Sequence, residues 1–239
     1  MDDSEQHDKN ASANICLEML INELAFFDIV LSALYAVLIL VGARWIQSRH
    51  KDNKLYDFFV PFIAFKIVCA VLFVIIHIYF YKGGDTFLFF AGGKFVANFL
   101  LDNPLEIFRI FRLNMTDFQS FIYREDFGIV MTFRDTTTLF ASQITALFCI
   151  LGFNSFMATT ILFSVAFSAG MWVLYTSVCS FYPQLYKVFA LCFLFIPTVG
   201  IWGSGILKDP VTFSAMGVIF YCVINLLSKK KIWQSLILL

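Results

Sequence analysis

The chain has 239 residues, 60% of them hydrophobic and 14% charged, with a mean hydropathy of +0.80. Soluble domains carry roughly 25% charged residues, so an ordinary water-soluble globule is excluded. The 17 basic and 17 acidic residues cancel, which leaves no basic footprint for nucleic acid.

Several apolar runs are long enough to cross the ~30 Å hydrocarbon layer, which needs about 20 helical residues. The predicted fold class is therefore all-α, a polytopic transmembrane helical protein with a long outer loop carrying interfacial amphipathic helices. Residues 1–24 form an acidic tail without the basic n-region of a cleavable signal peptide. The first predicted span runs from Ala25 to Ile46. Arg44, Arg49, His50, Lys51 and Lys54 follow or close it, so the positive-inside rule puts residues 47–57 in the cytoplasm and the N-terminus outside.

The second span, Phe58 to Phe80, returns to the outer face. Lys66 lies inside it, near the cytoplasmic end, and reads as a lysine that snorkels to the boundary. Residues 81–135 then form a long outer loop, long enough to suggest function in itself. Within it, Phe87 to Leu101 places Phe87, Phe90, Ala91, Phe95 and Phe99 at helical spacing, which suits a helix lying in the interface plane. Leu105 to Leu113, with Arg109 and Arg112, could be a second. Asn10-Ala11-Ser12 and Asn114-Met115-Thr116 fit the glycosylation sequon, which matters only in a eukaryotic protein.

Thr136 to Gly152 decides the topology. It is apolar but short, opens with three Thr and contains Ser142 and Gln143. Counted as a full span, it would send Lys229-Lys230-Lys231 outside. Counted as a half-inserted helix, it leaves spans over 156–180, 185–202 and 211–227, and the triple lysine falls in the cytoplasm. The second count is preferred. Under it Asp85, Arg124, Asp126, Arg134, Asp135, Lys208 and Asp209 all face outward. A further apolar run starts at Ile232 and resembles a span cut short, which suggests the N-terminal part of a longer protein. Of the six cysteines, Cys69, Cys149, Cys179, Cys192 and Cys222 lie in or beside apolar segments without CxxC spacing, and read as small hydrophobes.

Two charged clusters interrupt this apolar chain: Gly83-Gly84-Asp85-Thr86 and Lys208-Asp209-Pro210. A carboxylate at the membrane surface suits glycosyl transfer from a lipid-phosphate donor. Asp85 would take the proton of an acceptor hydroxyl as the sugar–phosphate bond breaks, and partial burial would make it a better base. Lys208, with Arg124 or Arg134, would stabilise charge on the leaving phosphate. The structural alternatives are a Gly-Gly-Asp-Thr turn for Asp85 and an Asp209 N-cap before Pro210 at the first helical turn.

Together with the outer loop, Gly83-Gly84-Asp85-Thr86 and the stretch from Pro197 through Gly200, Gly203 and Gly205 to Lys208-Asp209-Pro210 resemble the GT-C superfamily of membrane glycosyltransferases. The likeness is to the branch of protein O-mannosyltransferases and the lipid A aminoarabinose transferase, over about residues 58 to 227. It implies Asp85 as the acidic residue of the first outer loop and Asp209 as the second, at the head of a later span. It further implies that Arg134-Asp135 stands for the acidic–basic pair late in that loop. Here an extra span precedes the loop and the acidic residue stands alone rather than in a pair.

The expected activity is sugar transfer from a polyprenyl-phosphate-linked donor to a glycan, lipid or protein acceptor on the outer face, in a bacterial plasma membrane, with membrane lipids around it. Catalytic residues would be Asp85 and Asp209, with Lys208, Arg134, Asp135 and Arg124 at the donor phosphate. Some branches use a divalent metal, although no dedicated metal cage stands out. The competing expectations are a lipid or polysaccharide transporter or flippase, with Asp28, Lys66 and His77 as intramembrane polar groups, and a non-catalytic membrane scaffold.

Overall fold

The computed structural model describes residues 26–110 and 136–227. The described residues are mostly helical, with no strand among them. Helix α1 spans Phe26–Arg49. A 3-10 turn, Lys54–Phe58, leads into α2, Phe59–Ile76, which ends in a π turn, His77–Tyr81. Next come α3, Asp85–Asp102, and the short α4, Ile107–Ile110. Beyond the gap lie α5, Thr136–Leu151, and α6, Phe156–Cys179. The chain continues with α7, Tyr186–Leu194, α8, Pro197–Trp202, and α9, Lys208–Leu227.

Three described helical segments are long and apolar enough to cross a membrane: Phe26–Arg49, Lys54–Tyr81 and Phe156–Cys179. They coincide with the first three spans read from hydropathy. Along α1, Phe26, Leu34, Val37, Val41 and Trp45 are all more than half exposed. An exposed apolar surface of that length suits lipid, not water. The segment expected to be half-inserted is α5, at 16 residues.

The continuous helix expected over 185–202 is not formed. It is replaced by α7 and α8, parted at Phe195 and Ile196. Pro197 is the cause: it has no N–H to continue the α7 ladder, yet its fixed φ suits the first turn of a new helix. Of the cysteines read as small hydrophobes, Cys192 on α7 is exposed, and the other four named above are buried.

The described residues form two compact units. One holds residues 76–110 and 136–159 with 26–28; the other holds 29–75 and 160–227. In the first, α3 packs along α5. A Cβ on Gly93 would stand 2.7 Å from Thr145 Cγ2, so the contact requires glycine. Phe87 and Phe90 of α3 also meet the Phe156 ring at 5.4 and 5.0 Å. Buried residues of α3 include Phe87, Phe89, Phe90, Gly93, Val96, Ala97 and Leu100, which occupy most of its circumference. Helix α5 covers part of that surface.

In the second unit α2 is the centre. Trp172 of α6 packs against Phe59 and Phe62 at 4.8 and 6.3 Å, and Phe195 against Phe62 and Phe65 at 6.4 and 5.6 Å. Tyr175, wholly buried, donates its hydroxyl to the Tyr186 carbonyl at 3.3 Å. Where α6 meets α9, a Cβ on Gly170 would strike the Ser214 backbone, and one on Gly217 would strike the Gly170 carbonyl. Small residues let the two backbones touch, as in membrane helix pairs.

Candidate functional site

Asp85 owes its position to the way α2 ends. The π turn closes with Lys82 in the left-handed region (φ 50°), its N–H donating to the His77 carbonyl at 2.8 Å. Gly84, at φ 112°, takes a conformation that only glycine adopts without strain, and it stands as the N-cap of α3. The next residue is Asp85, the first of α3, with an exposed side chain. The partial burial expected of it is absent from the protein's own packing. Asp85 stands in the first turn of α3, whose leading N–H groups have no partner within the helix.

Thr86, immediately after it, turns the other way. Its side chain is 1% exposed, and its hydroxyl has no hydrogen-bond partner among the described residues. Buried polar groups almost always have partners, so one beside an exposed carboxylate marks the place chemically. The Ser142 hydroxyl of α5 is in the same state.

Lys208 and Asp209 stand together at the start of α9, Lys208 half-buried and Asp209 exposed. Since α9 begins at Lys208, Asp209 lies inside the first turn rather than before it, so it is not the N-cap expected from Pro210. Thr212 Oγ1 donates to the Lys208 carbonyl at 3.0 Å. Asp85 belongs to the first unit and Lys208 and Asp209 to the second. Arg124, Arg134 and Asp135 lie outside the described residues. Among the described residues no three His, Cys, Asp or Glu side chains are grouped to hold a metal ion.

Sequence reasoning misjudged Lys66. The side chain does not snorkel: it is 6% exposed, and its Nζ donates to the Gly203 carbonyl at 2.6 Å and the Gly200 carbonyl at 3.4 Å. These carbonyls lie at the end of α8, where helical carbonyls have no partner within the helix. Ser204 Oγ also donates to the Gly200 carbonyl. Gly200 and Gly205 press on the same face of α2: a Cβ on Gly200 would stand 2.6 Å from the Phe65 ring, and one on Gly205 would run into the Phe73 ring. The available signal was three glycines within six residues in a chain otherwise rich in bulky side chains. Their role is to bring the backbone down onto Lys66. Asp28 and His77 are buried as well, each 7% exposed. The His77 ring lies 5.1 Å from that of Tyr81 and 6.5 Å from that of Phe87.

In comparisons with protein-family models, curated proteins and solved structures, none matches the chain.

Proposed function

We propose that this protein is a multi-pass membrane glycosyltransferase that moves a sugar from a polyprenyl-phosphate-linked donor to an acceptor hydroxyl on the outer face of the membrane, with Asp85 as general base. The observation that carries this reading is the placement of Asp85. It is an exposed carboxylate at a helix start, delivered by a left-handed Gly84 and followed by the buried, unpartnered Thr86 hydroxyl. Such a carboxylate can reach an acceptor hydroxyl and accept its proton as the bond from sugar to phosphate breaks; the phosphate leaves with the bonding electron pair. Lys208 would offset the charge on the departing phosphate, and Asp209 is the second acidic residue of the reading. Arg124, Arg134 and Asp135 complete the proposed donor-binding set. The resemblance described above supplies the reaction class.

The test is sugar transfer from a polyprenyl-phosphate-linked donor in membranes carrying the full chain. D85N is expected to lower the rate by about a hundredfold or more, the usual contribution of a positioned base. Undiminished transfer by D85N would remove Asp85 from the chemistry.

A transporter or flippase is the second reading. Buried Asp28, Lys66 and His77 and the break between α7 and α8 favour it, since polar groups and interrupted helices inside a membrane often line a pathway. Substrate flux in proteoliposomes without chemical transfer would select it.

A further inference from the structure

The turn joining α1 to α2 is built around a cavity. Gln47 Nε2 donates to the Tyr56 carbonyl at 2.7 Å, and the Asn53 side chain accepts from the Leu55 N–H at 3.1 Å. The His50 ring stacks on that of Tyr56 with centroids 4.3 Å apart. These contacts hold open a cavity of about 450 Å³ lined by Arg44, Gln47, His50, Lys51, Tyr56 and Asp57. Arg44 and Lys51 bring two cations to the wall, against one carboxylate from Asp57.

The cavity continues an apolar track. Val30, Leu34, Val37 and Val41 are exposed, and with Arg44 and Ser48 they form one stripe at helical spacing along α1. Ser48 is itself part of the cavity wall. A molecule with an apolar tail and an anionic head would match both parts of that stripe. The cavity also lies where two membrane-length helical segments meet, α1 ending and Lys54–Tyr81 beginning; if both cross the bilayer, this turn would sit at the depth of lipid headgroups. Trp45 is 58% exposed there, with the Arg49 guanidinium 4.4 Å over its ring, a pairing suited to the interface.

We infer that this cavity binds the phosphate of an anionic phospholipid, with the acyl chains lying along the Val30–Val41 stripe. Arg44 and Lys51 would hold the phosphate, and the Gln47 and His50 contacts would fix the turn around it. Basic pockets at the ends of membrane helices recognise anionic headgroups through the same charge and geometry. The inference is independent of the proposed enzymatic activity.

The experiment uses the purified full chain in a neutral detergent, titrated with phosphatidylglycerol, phosphatidylcholine or inorganic phosphate and followed by native mass spectrometry and thermal melting. Phosphatidylglycerol should be retained and raise the melting temperature, and phosphatidylcholine should do neither. R44Q/K51Q should weaken phosphatidylglycerol binding about thirtyfold, the loss of two near-surface cations. K54Q/K187Q removes the same charge away from the cavity wall and should weaken binding less than about fivefold. Arg44, Lys51, Lys54 and Lys187 are all exposed, so the variants keep the core, and either single substitution can replace a double one that expresses poorly. Equal weakening by the two double variants would reduce the effect to diffuse charge and overturn the site. Stabilisation by inorganic phosphate alone, equal to that by phosphatidylglycerol, would overturn the lipid as its occupant.

Discussion

A lysine within an apolar span can satisfy its ammonium in two ways. It can extend its stem to the boundary, or it can find oxygens inside the protein. Lys66 takes the second course, through the Gly200 and Gly203 carbonyls. Two effects of opposite sign follow for Lys66→Met. Methionine enters a membrane more easily than lysine, by about 3 kcal/mol near the centre of a span. Its presence would leave the Gly203 carbonyl buried without that donor, a cost of about 1–3 kcal/mol. K66M should therefore insert at least as well as the parent while unfolding more readily in detergent, with faster amide exchange over 203–205. Unchanged stability and exchange would mean that the ammonium does not hold α8 in place. The sequence shows that Lys66 is anomalous but not which solution it adopts, because the two carbonyls lie 134 and 137 residues away. Asp85 was easier to place, since Gly83 and Gly84 mark a turn locally. Its lack of burial depends on packing that no local pattern encodes.

At the level of helices, hydropathy located α1, α2 and α6 within a few residues, because long apolar runs leave little choice of structure in lipid. The break before Pro197 was missed because hydropathy runs on through it, although Pro at a first helical turn is an ordinary start signal. Interhelical contacts were harder to foresee. The α6–α9 contact turns on Gly170, Ser214 and Gly217, and nothing in the spacing of α6 points to its partner. Gly170→Ala would place a methyl group against the Ser214 backbone, which cannot yield as a side-chain tip can. The expected loss is about 1–3 kcal/mol, the range for overpacking, with a larger loss for Gly170→Leu. Ala169 is exposed on the same helix, so Ala169→Leu adds bulk without that collision and should change little. Detergent-unfolding midpoints of the three variants check this. A fall in A169L equal to that in G170L would place the sensitivity in the helix itself rather than in its contact with α9.

For the molecule as a whole, the topology rests on whether α5 and the segment 186–202 each cross the membrane. Nine residues of α7 and six of α8 rise only about 14 and 9 Å, each well short of the ~30 Å hydrocarbon layer. The segment can cross only if the two pieces and the residues between them act in series. The charge pattern favours that outcome, since it returns Lys208 to the outer face and sends α9 inward to the triple lysine. Single cysteines on a background lacking the six native ones give the measurement. With a membrane-impermeant maleimide, position 85 and position 208 are expected to label from outside, and position 51 only after the membrane is opened. If position 208 labelled only after opening, either 186–202 would enter and leave on one side or α5 would cross the membrane in full. Lys208 and Asp209 would then face the cytoplasm and lose their proposed role at an outer-leaflet phosphate. Asp85 would keep its proposed role, because its side of the membrane depends only on the first two candidate spans, both helical segments long enough to cross without a break.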